Sequence, residues 1–163
     1  MILGICGSLR AKSLNRMALM AIQTVEPELV VWEGLALIPP FNPDWEDQPN
    51  EAVLELSRLI REAKAVVIAS PEYAHGVTGV VKNALDWTVG SGEFMQKPTV
   101  VINCSHSATI ANAALRETLS VMEAEVIPFA LPLFSHGMTV EGILADESLS
   151  TRLDEIAAKL SSY

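Results

Sequence analysis

The chain has 163 residues, half of them hydrophobic, and a formal net charge of -9 at pH 7. This length suits one buried core better than two, so we expect a single domain over residues 1–163. The excess of Asp and Glu over Lys and Arg repels nucleic-acid phosphates and anionic lipid headgroups, which argues against nucleic acid or a membrane as partner. No apolar run reaches the roughly 18 residues of a membrane-spanning helix, and the N-terminus does not resemble a secretory signal, so a cytoplasmic location is expected.

Short runs rich in Ile, Val and Ala predict the strands of a parallel sheet. The predicted strands are Met1–Cys6, Leu29–Trp32, Ala65–Ala69, Thr99–Cys104 and Glu125–Ala130. The first, third and fourth lack alternation of apolar and polar residues, which indicates strands covered by helices on both faces.

Between the strands, apolar residues recur at steps of three and four, as in amphipathic helices. This spacing predicts helices over Leu14–Val25, Val53–Ala63, Val77–Trp87, Leu115–Met122 and Leu149–Leu160. The segment from Pro39 to Pro49 is rich in Pro and acidic residues and is expected to be a loop. Alternating strands and helices predict an α/β fold, and right-handed crossovers leave few sheet orders, among them 2-1-3-4-5.

Ligands of such a sheet bind beyond the carboxyl ends of the strands, beside the point where strand order reverses. The loops after the first, third and fourth strands are therefore the candidate site. In the order 2-1-3-4-5, Cys6 and Cys104 would lie about 9 to 10 Å apart, too far for a disulfide, so both are expected to be free thiols.

The loop after the first strand, Gly7 to Asn15, has the residue types that bind a phosphate monoester. A glycine permits a sharp turn, and a helix N-terminus follows at about Ser13. The hydrogen-bond donors are Ser8, Ser13 and Asn15, and the cations are Arg10 and Lys12. The loop matches neither the Walker pattern nor G-x-G-x-x-G. An ordinary strand-to-helix turn with Ser13 as N-cap is the alternative.

The loop after the third strand reads Pro-Glu-Tyr at 71–73 and Gly-Val-Val-Lys-Asn-Ala-Leu-Asp-Trp at 79–87. This string resembles the NADPH-dependent FMN reductase family, whose loop reads Pro-Glu-Tyr, a few small residues and Gly-Val-Leu-Lys-Asn-Ala-Leu-Asp-Trp. The Gly-Ser-x-Arg-x-x-Ser-x-Asn phosphate motif of that family is also matched, at Gly7 to Asn15. Two motifs at the correct separation argue against chance similarity.

The resemblance implies a flavodoxin-like three-layer sandwich that binds FMN, with a five-stranded parallel sheet in the order 2-1-3-4-5. The phosphate is expected on the first loop and the flavin ring between the third and fourth loops. The cofactor-binding residues expected on this basis are Ser8, Arg10, Ser13, Leu14, Asn15, Pro71, Glu72, Tyr73, Ala74, His75, Gly76, Ser105, His106 and Ser107. Helix packing or a subunit interface, rather than catalysis, is the expected role of Lys82, Asn83, Asp86 and Trp87.

The loop after the fourth strand departs from the family pattern. Many members have a glycine-rich turn there, whereas this chain has Ser107 and Ala108. Added Cβ atoms could narrow the approach to the ring, so FMN binding is expected while its tight retention stays open.

Three histidines, His75, His106 and His136, follow predicted strand ends on one edge of the sheet. Their spacing matches no common zinc pattern, so no metal is expected, and His75 and His106 are instead expected at the mouth of the pocket. Ser8 is not expected to be a hydrolytic nucleophile because Gly-x-Ser-x-Gly is absent.

The resemblance implies an enzyme that transfers hydride from NADPH or NADH through bound FMN to a small-molecule electron acceptor. The cofactor supplies the chemistry, so no essential acid or base side chain is expected. Free flavin, quinones, azo compounds and chromate are the candidate acceptors. The choice of dinucleotide stays open, with Arg10 and Arg116 as candidate contacts to a 2′-phosphate.

Two other function classes remain as alternatives. One is a flavodoxin-like electron carrier without dinucleotide oxidation, and the other is an α/β interaction or nucleotide-processing domain that binds no flavin. The resemblance also implies a homodimer, or a tetramer built from dimers, with the helix Val77–Trp87 as the candidate interface.

Overall fold

The five long strands of the protein form one parallel sheet. A computed structural model describes residues 1–105, 107–133 and 138–163. The long strands are β1 (Ile2–Cys6), β2 (Leu29–Trp32), β3 (Ala65–Ala69), β6 (Pro98–Asn103) and β7 (Glu125–Ala130), and a hairpin of β4 (Glu72–Tyr73) and β5 (Gly76–Val77) follows β3. The sheet order is β2-β1-β3-β6-β7, which confirms the predicted 2-1-3-4-5 order.

Helices connect the strands and cover both faces of the sheet. They are α1 (Leu14–Val25), α2 (Glu51–Glu62), α3 (Gly79–Val89), α4 (Ile110–Val121), α5 (Val140–Ala145) and α6 (Glu147–Ser161). Local chemistry fixes the start of α2, where the Asn50 side chain accepts a hydrogen bond from the Val53 N–H at 3.0 Å. Within the described residues, no helix combines the length and apolar character needed to span a membrane.

Side chains of the central strand β3 alternate between two hydrophobic cores. Val66 and Ile68 belong to a cluster with residues of α2, α3 and α4. Ala65, Val67 and Ala69 belong to a second cluster with residues of α1 and α6. All five are fully buried, as expected for a strand covered on both faces, and the three predicted layers are confirmed.

Two strand boundaries differ from the prediction by one residue. The first strand begins at Ile2 rather than Met1, and the fourth spans Pro98–Asn103 rather than Thr99–Cys104. Proline is tolerated as the first residue of a strand. Cys104 lies outside because the Asn103 side chain bonds to the Ser105 N–H and the Ala108 carbonyl, which begins the next loop.

The segment after β3 and the region before α6 contain elements that the sequence analysis did not predict. Val77 lies in β5 rather than in a helix, and α3 begins two residues later at Gly79. The short helix α5 precedes α6 and was not predicted, because six residues are too few for a clear helical period.

The family-like string in α3 has a packing role. The amide of Asn83 accepts from the Phe41 N–H at 2.7 Å and donates to the Pro39 carbonyl at 2.8 Å. The Trp87 indole N–H donates to the same carbonyl at 2.8 Å, and its ring meets Phe41 edge-on. These contacts hold the loop after β2 against α3, in agreement with the predicted packing role of these two residues.

Gly7 is required for lack of space rather than for an unusual backbone angle. Its N–H donates to the Ala69 carbonyl at 2.8 Å, so the end of β1 lies directly against the end of β3. A Cβ at this position would lie 2.4 Å from Ser70 Oγ and 2.9 Å from Val81 Cγ2. The φ of Gly7 is not positive, so close packing is the constraint.

The substitution Gly7→Ala is expected to destabilise the protein because the added methyl group overlaps Ser70 and Val81. Overpacking of this kind costs about 1–3 kcal/mol, which thermal unfolding followed by circular dichroism without added flavin would detect. Gly79→Ala is the matched control, since a Cβ added there would meet no other atom within 4 Å. Equal melting temperatures for the two variants would contradict the packing argument.

Candidate functional site

A cavity of about 420 Å³ lies at the carboxyl edge of the sheet, beside the ends of β1, β3 and β6. This is the edge at which doubly wound sheets bind ligands, and the volume is within the range of small-molecule sites. The lining residues are Ser8, Arg10, Lys12, Ser13, Leu14, Asn15, Ser70, Pro71, Glu72, Tyr73, Asn103, Cys104, Ser105, Ser107, Ala108 and Leu133.

The first wall is the loop between β1 and α1. The Ser13 N–H donates to the Arg10 carbonyl at 3.1 Å, and the Arg10 N–H donates to Ser8 Oγ at 3.4 Å. These two hydrogen bonds hold the loop in a tight turn. Ser13 occupies the N-cap position of α1 and is buried, but its side chain makes no capping hydrogen bond. The N-cap alternative therefore does not account for this hydroxyl.

Asn15 presents an unsatisfied amide beside this wall. Its residue surface is only 7% exposed, and its Oδ1 is buried without a hydrogen-bond partner among the described residues. A buried acceptor without a partner costs stability and requires a donor, whereas the amide nitrogen is the atom of this side chain that could donate to an anion in the cavity.

The second wall contains Pro71, Glu72 and Tyr73 and continues into the β4–β5 hairpin. Ala74 and His75 form its turn with φ of 50° and 60°, left-handed values that favour Asn and Gly. The turn projects into solvent, and the His75 side chain is 77% exposed.

The carboxylate of Glu72 connects this wall to two other groups. Its Oε2 accepts from the Ala111 N–H of α4 at 2.8 Å, and its Oε1 lies 2.9 Å from His75 Nδ1. The Ala111 N–H, followed by the His75 ring, holds the pKa of Glu72 below its ordinary value, although partial desolvation opposes this.

The third wall is the loop after β6. The Asn103 amide donates to the Ala108 carbonyl at 3.2 Å and accepts from the Ser105 N–H at 3.0 Å. The hydroxyls of Ser105 and Ser107 lie 3.0 Å apart. Neither Ser107 nor Ala108 has a positive φ, so the backbone at these two positions does not require the glycines that many family members have there.

Both cysteines are free thiols, as predicted. Cys104 lines the cavity but is buried, and burial, followed by the nearby Cys6, raises the pKa of its thiol to about 12. Burial also raises the pKa of Cys6, which is opposed by a hydrogen bond to the Ser8 carbonyl and by Ser13. Both thiols are therefore protonated at neutral pH.

The structure brings most of the predicted site residues together. Those that line the cavity are Ser8, Arg10, Ser13, Leu14, Asn15, Pro71, Glu72, Tyr73, Ser105 and Ser107. Ala74, His75 and Gly76 do not: Ala74 and His75 form the exposed turn of the hairpin, and Gly76 begins its second strand. His106 and His136 lie outside the described residues, and the part of the chain that is described contains no group of three potential metal ligands.

Ser70, Asn103 and Leu133 line the cavity but were not predicted. Ser70 and Asn103 stand at the ends of β3 and β6, so strand-end position alone could have indicated them. Leu133 follows β7, and nothing in its residue type marks a binding site. Arg116, a candidate contact for the dinucleotide, lies on α4 and does not line the cavity.

Comparison with known proteins decides the family. The profile described as NADPH-dependent FMN reductase matches residues 1–139. The chain belongs to this family. The family profile thus includes the first strand, the hairpin loop and the loop after β6, which carry most of the cavity wall.

Relatives and solved structures agree with the family. The chain is 34% identical to the NADH:(hydroxy)cinnamate reductase subunit CrdA of Vibrio ruber, over 94% of this chain and 82% of that protein. It is 35% identical to an NAD(P)H-dependent FMN reductase of Pseudomonas aeruginosa, over 75% of this chain and 70% of that protein. The flavoenzyme NAD(P)H:(acceptor) oxidoreductase FerB of Paracoccus denitrificans superposes with a TM-score of 0.85 at 25% identity, over 99% of this chain and 95% of that one.

The protein is therefore an FMN-dependent NAD(P)H oxidoreductase that acts on small-molecule acceptors. These relatives do not favour the alternative of an electron carrier without dinucleotide oxidation. The cavity fits FMN, because it is cationic and hydroxyl-rich on the first wall, has apolar groups on the other two, and includes the amide side chain of Asn15.

Proposed function

We propose that the cavity holds FMN with its phosphate on the first wall and its ring between the second and third walls. The observation that carries this proposal is the composition of a single cavity: anion-binding groups at the end of β1, and Pro71, Tyr73 and Ala108 at the ends of β3 and β6. A phosphate monoester attached to a partly apolar ring requires these two environments side by side.

The phosphate ligands in this proposal are on the first wall. Arg10 and Lys12 supply positive charge, and the N-terminus of α1 adds its partial charge and free N–H groups. The Ser8 and Ser13 hydroxyls and the Asn15 amide donate hydrogen bonds, which are strong when the acceptor is an anion. Leu14, the first residue of α1, packs beside them.

The ring walls in this proposal are Pro71, Glu72 and Tyr73 on one side and Ser105, Ser107 and Ala108 on the other. Ala74, His75 and Gly76 do not line the cavity, and their role in this proposal is to complete the hairpin that holds Tyr73. The Cβ atoms of Ser107 and Ala108 leave the cavity at about 420 Å³, which supports binding of the ring.

Bound FMN supplies hydride and electron transfer between the dinucleotide and the acceptor. The chain's own part would be to hold the ring between the second and third walls and to limit its contact with water. No acid or base side chain is assigned, because the reaction as proposed needs none from the protein. The cavity is open to solvent, so donor and acceptor would occupy the same place in turn.

Planar, electron-poor organic molecules are the acceptor class that this site supports best, with free flavin, quinones and azo compounds as candidates. Chromate, a small inorganic oxyanion, is a further candidate outside this class. The exposed Tyr73 beside the cavity gives such molecules an aromatic surface. Relatives include a quinone reductase of Pseudomonas putida, 33% identical, and an NADPH azoreductase of Bacillus, 27% identical.

We also propose that residues 1–163 form one cytoplasmic domain that assembles as a homodimer or as a tetramer of dimers. Leu85 and Trp87 of α3 are buried in the chain itself, so the candidate interface is the outer face of α3 with adjacent exposed residues. Trp45, Leu54 and Val89 are exposed apolar residues in or next to a second depression of about 410 Å³ beside α2 and α3. Exposed apolar groups around one depression support association.

Anaerobic addition of NADPH or NADH to the FMN-loaded protein is expected to bleach the long-wavelength flavin band, and the faster donor is the preferred one. Steady-state rates with varied donor and acceptor are expected to give parallel double-reciprocal lines, since the two share one place. If FMN binds but neither NADPH nor NADH reduces it, the proposed function is contradicted. Intersecting double-reciprocal lines would contradict a binding site that donor and acceptor occupy in turn.

Asn15→Ala is expected to weaken FMN binding by about 10- to 100-fold, because a hydrogen bond to a charged group contributes roughly 1.5–3 kcal/mol. Riboflavin, which lacks the phosphate, should bind with unchanged affinity. The melting temperature without ligand should stay the same or rise, since a buried unsatisfied group is removed. Fluorescence titration and thermal unfolding measure these quantities.

Asn83→Ala is the matched control, because both ends of that amide are bonded within the protein. It should lower the melting temperature and leave FMN affinity unchanged. An Asn15→Ala variant that behaves like Asn83→Ala would exclude Asn15 from the phosphate site.

Light scattering at micromolar concentration is expected to give twice the monomer mass or a multiple of it. Leu54→Glu should shift the protein toward monomer, because it introduces charge into the proposed interface, whereas Met20→Glu on the opposite face of the sheet should not. A monomer mass for the unchanged protein would rule out the assembly.

A further inference from the structure

Glu72 joins two segments that are far apart in sequence and border the same cavity. Glu72 is the first residue of β4, shortly after the end of β3. Ala111 is the second residue of α4, which follows the loop after β6. The 2.8 Å bond between Glu72 Oε2 and the Ala111 N–H therefore spans the second and third walls. The side chain of Glu72 is only 11% exposed, so this bond is partly shielded from water.

The start of α4 depends on this carboxylate. Thr109 occupies the N-cap position, yet its side chain makes no capping hydrogen bond and its backbone is helical rather than extended. The first N–H groups of a helix need acceptors, and an anion at that end also interacts favourably with the helix dipole. Glu72 supplies both from another segment of the chain.

The other oxygen of the same carboxylate contacts the strained turn of the hairpin. Ala74 and His75 both have left-handed φ values, which are unfavourable for residues with a Cβ and persist where surrounding contacts hold them. His75 Nδ1 lies 2.9 Å from Glu72 Oε1, and α4 packs against both strands of the hairpin. One side chain thus bonds to the turn and to the helix.

We propose that Glu72 is a positioning residue for the flavin ring: its carboxylate ties the Ala74–His75 turn to the N-terminus of α4 and so sets the separation of the two walls that border the ring. This inference rests on the proposed function and deepens it. Glu72 acts through Ala111 and His75 rather than through the phosphate loop, so its loss should affect the ring and not the phosphate.

The test compares FMN and riboflavin dissociation constants for the unchanged protein and the variant Glu72→Ala. Loss of the connection is expected to weaken both ligands by the same factor, about tenfold, which is the effect of losing a single favourable interaction. Asn15→Ala, in contrast, should weaken FMN alone. Glu72→Gln should stay within about threefold of the unchanged protein, because its amide can accept from the Ala111 N–H and donate to a neutral His75.

Asp146→Ala is the matched control, since Asp146 also accepts from N–H groups at a helix start but does not line the cavity. It should lower stability and leave both ligands unaffected. Amide hydrogen exchange at Ala111 gives a second readout: exchange should be faster in Glu72→Ala and unchanged in Asp146→Ala. If Glu72→Ala does not fold, His75→Ala decides, with about threefold weaker binding of both ligands expected from losing one of the two contacts.

Ring binding within twofold of the unchanged protein in Glu72→Ala, or in His75→Ala where that variant decides, overturns the inference. An equal loss in Asp146→Ala, or a Glu72→Gln variant as weak as Glu72→Ala, overturns it as well. These outcomes leave the proposed function intact as long as the unchanged protein binds FMN and the bound FMN is reduced by NADPH or NADH. Failure of the unchanged protein to bind FMN overturns the proposed function and this inference together.

Discussion

The site depends on how closely the ends of β1 and β3 approach each other. The Gly7 N–H bonds to the Ala69 carbonyl, and there is no room for a Cβ between this backbone and Ser70. Because parallel strands end at the same edge, this approach brings the loop that carries the anion-binding groups next to the loop that carries the hairpin. β6, on the other side of β3, adds the third wall. A wider spacing at this one point would separate the groups that must act on one ligand.

The charges of the protein are arranged against its overall sign. The chain has 20 acidic residues and 11 Lys and Arg, yet two of those cations, Arg10 and Lys12, lie on the cavity. An anionic surface repels large polyanions, while a local cationic wall with a helix N-terminus attracts a small phosphate. A negative net charge is therefore compatible with a local site for a small anionic cofactor.

Much of the fold and part of the site could be predicted from sequence. Buried strands give continuous apolar runs, and the handedness of crossovers restricts their order, so the sheet was predicted correctly. The β4–β5 hairpin was not predicted, because two-residue strands show no periodicity and Ala74-His75 lacks the Asn-Gly signal of such a turn. The pairing of Glu72 with Ala111 joins residues 39 positions apart, and no local pattern indicates it. The cavity residues that were easiest to predict were those able to bind an anion directly after a buried strand, such as Arg10 and Asn15.

Cys104 lines the cavity that is proposed to hold the flavin, and burial raises the pKa of its thiol to about 12. Nucleophilic attack by cysteine requires the thiolate, and only a very small fraction of this thiol is ionised at neutral pH. Burial of the sulfur thus protects the protein from alkylation by electrophilic compounds that enter the same cavity. Although Cys104 takes no part in the reaction, its burial thus helps the enzyme to stay active over many turnovers.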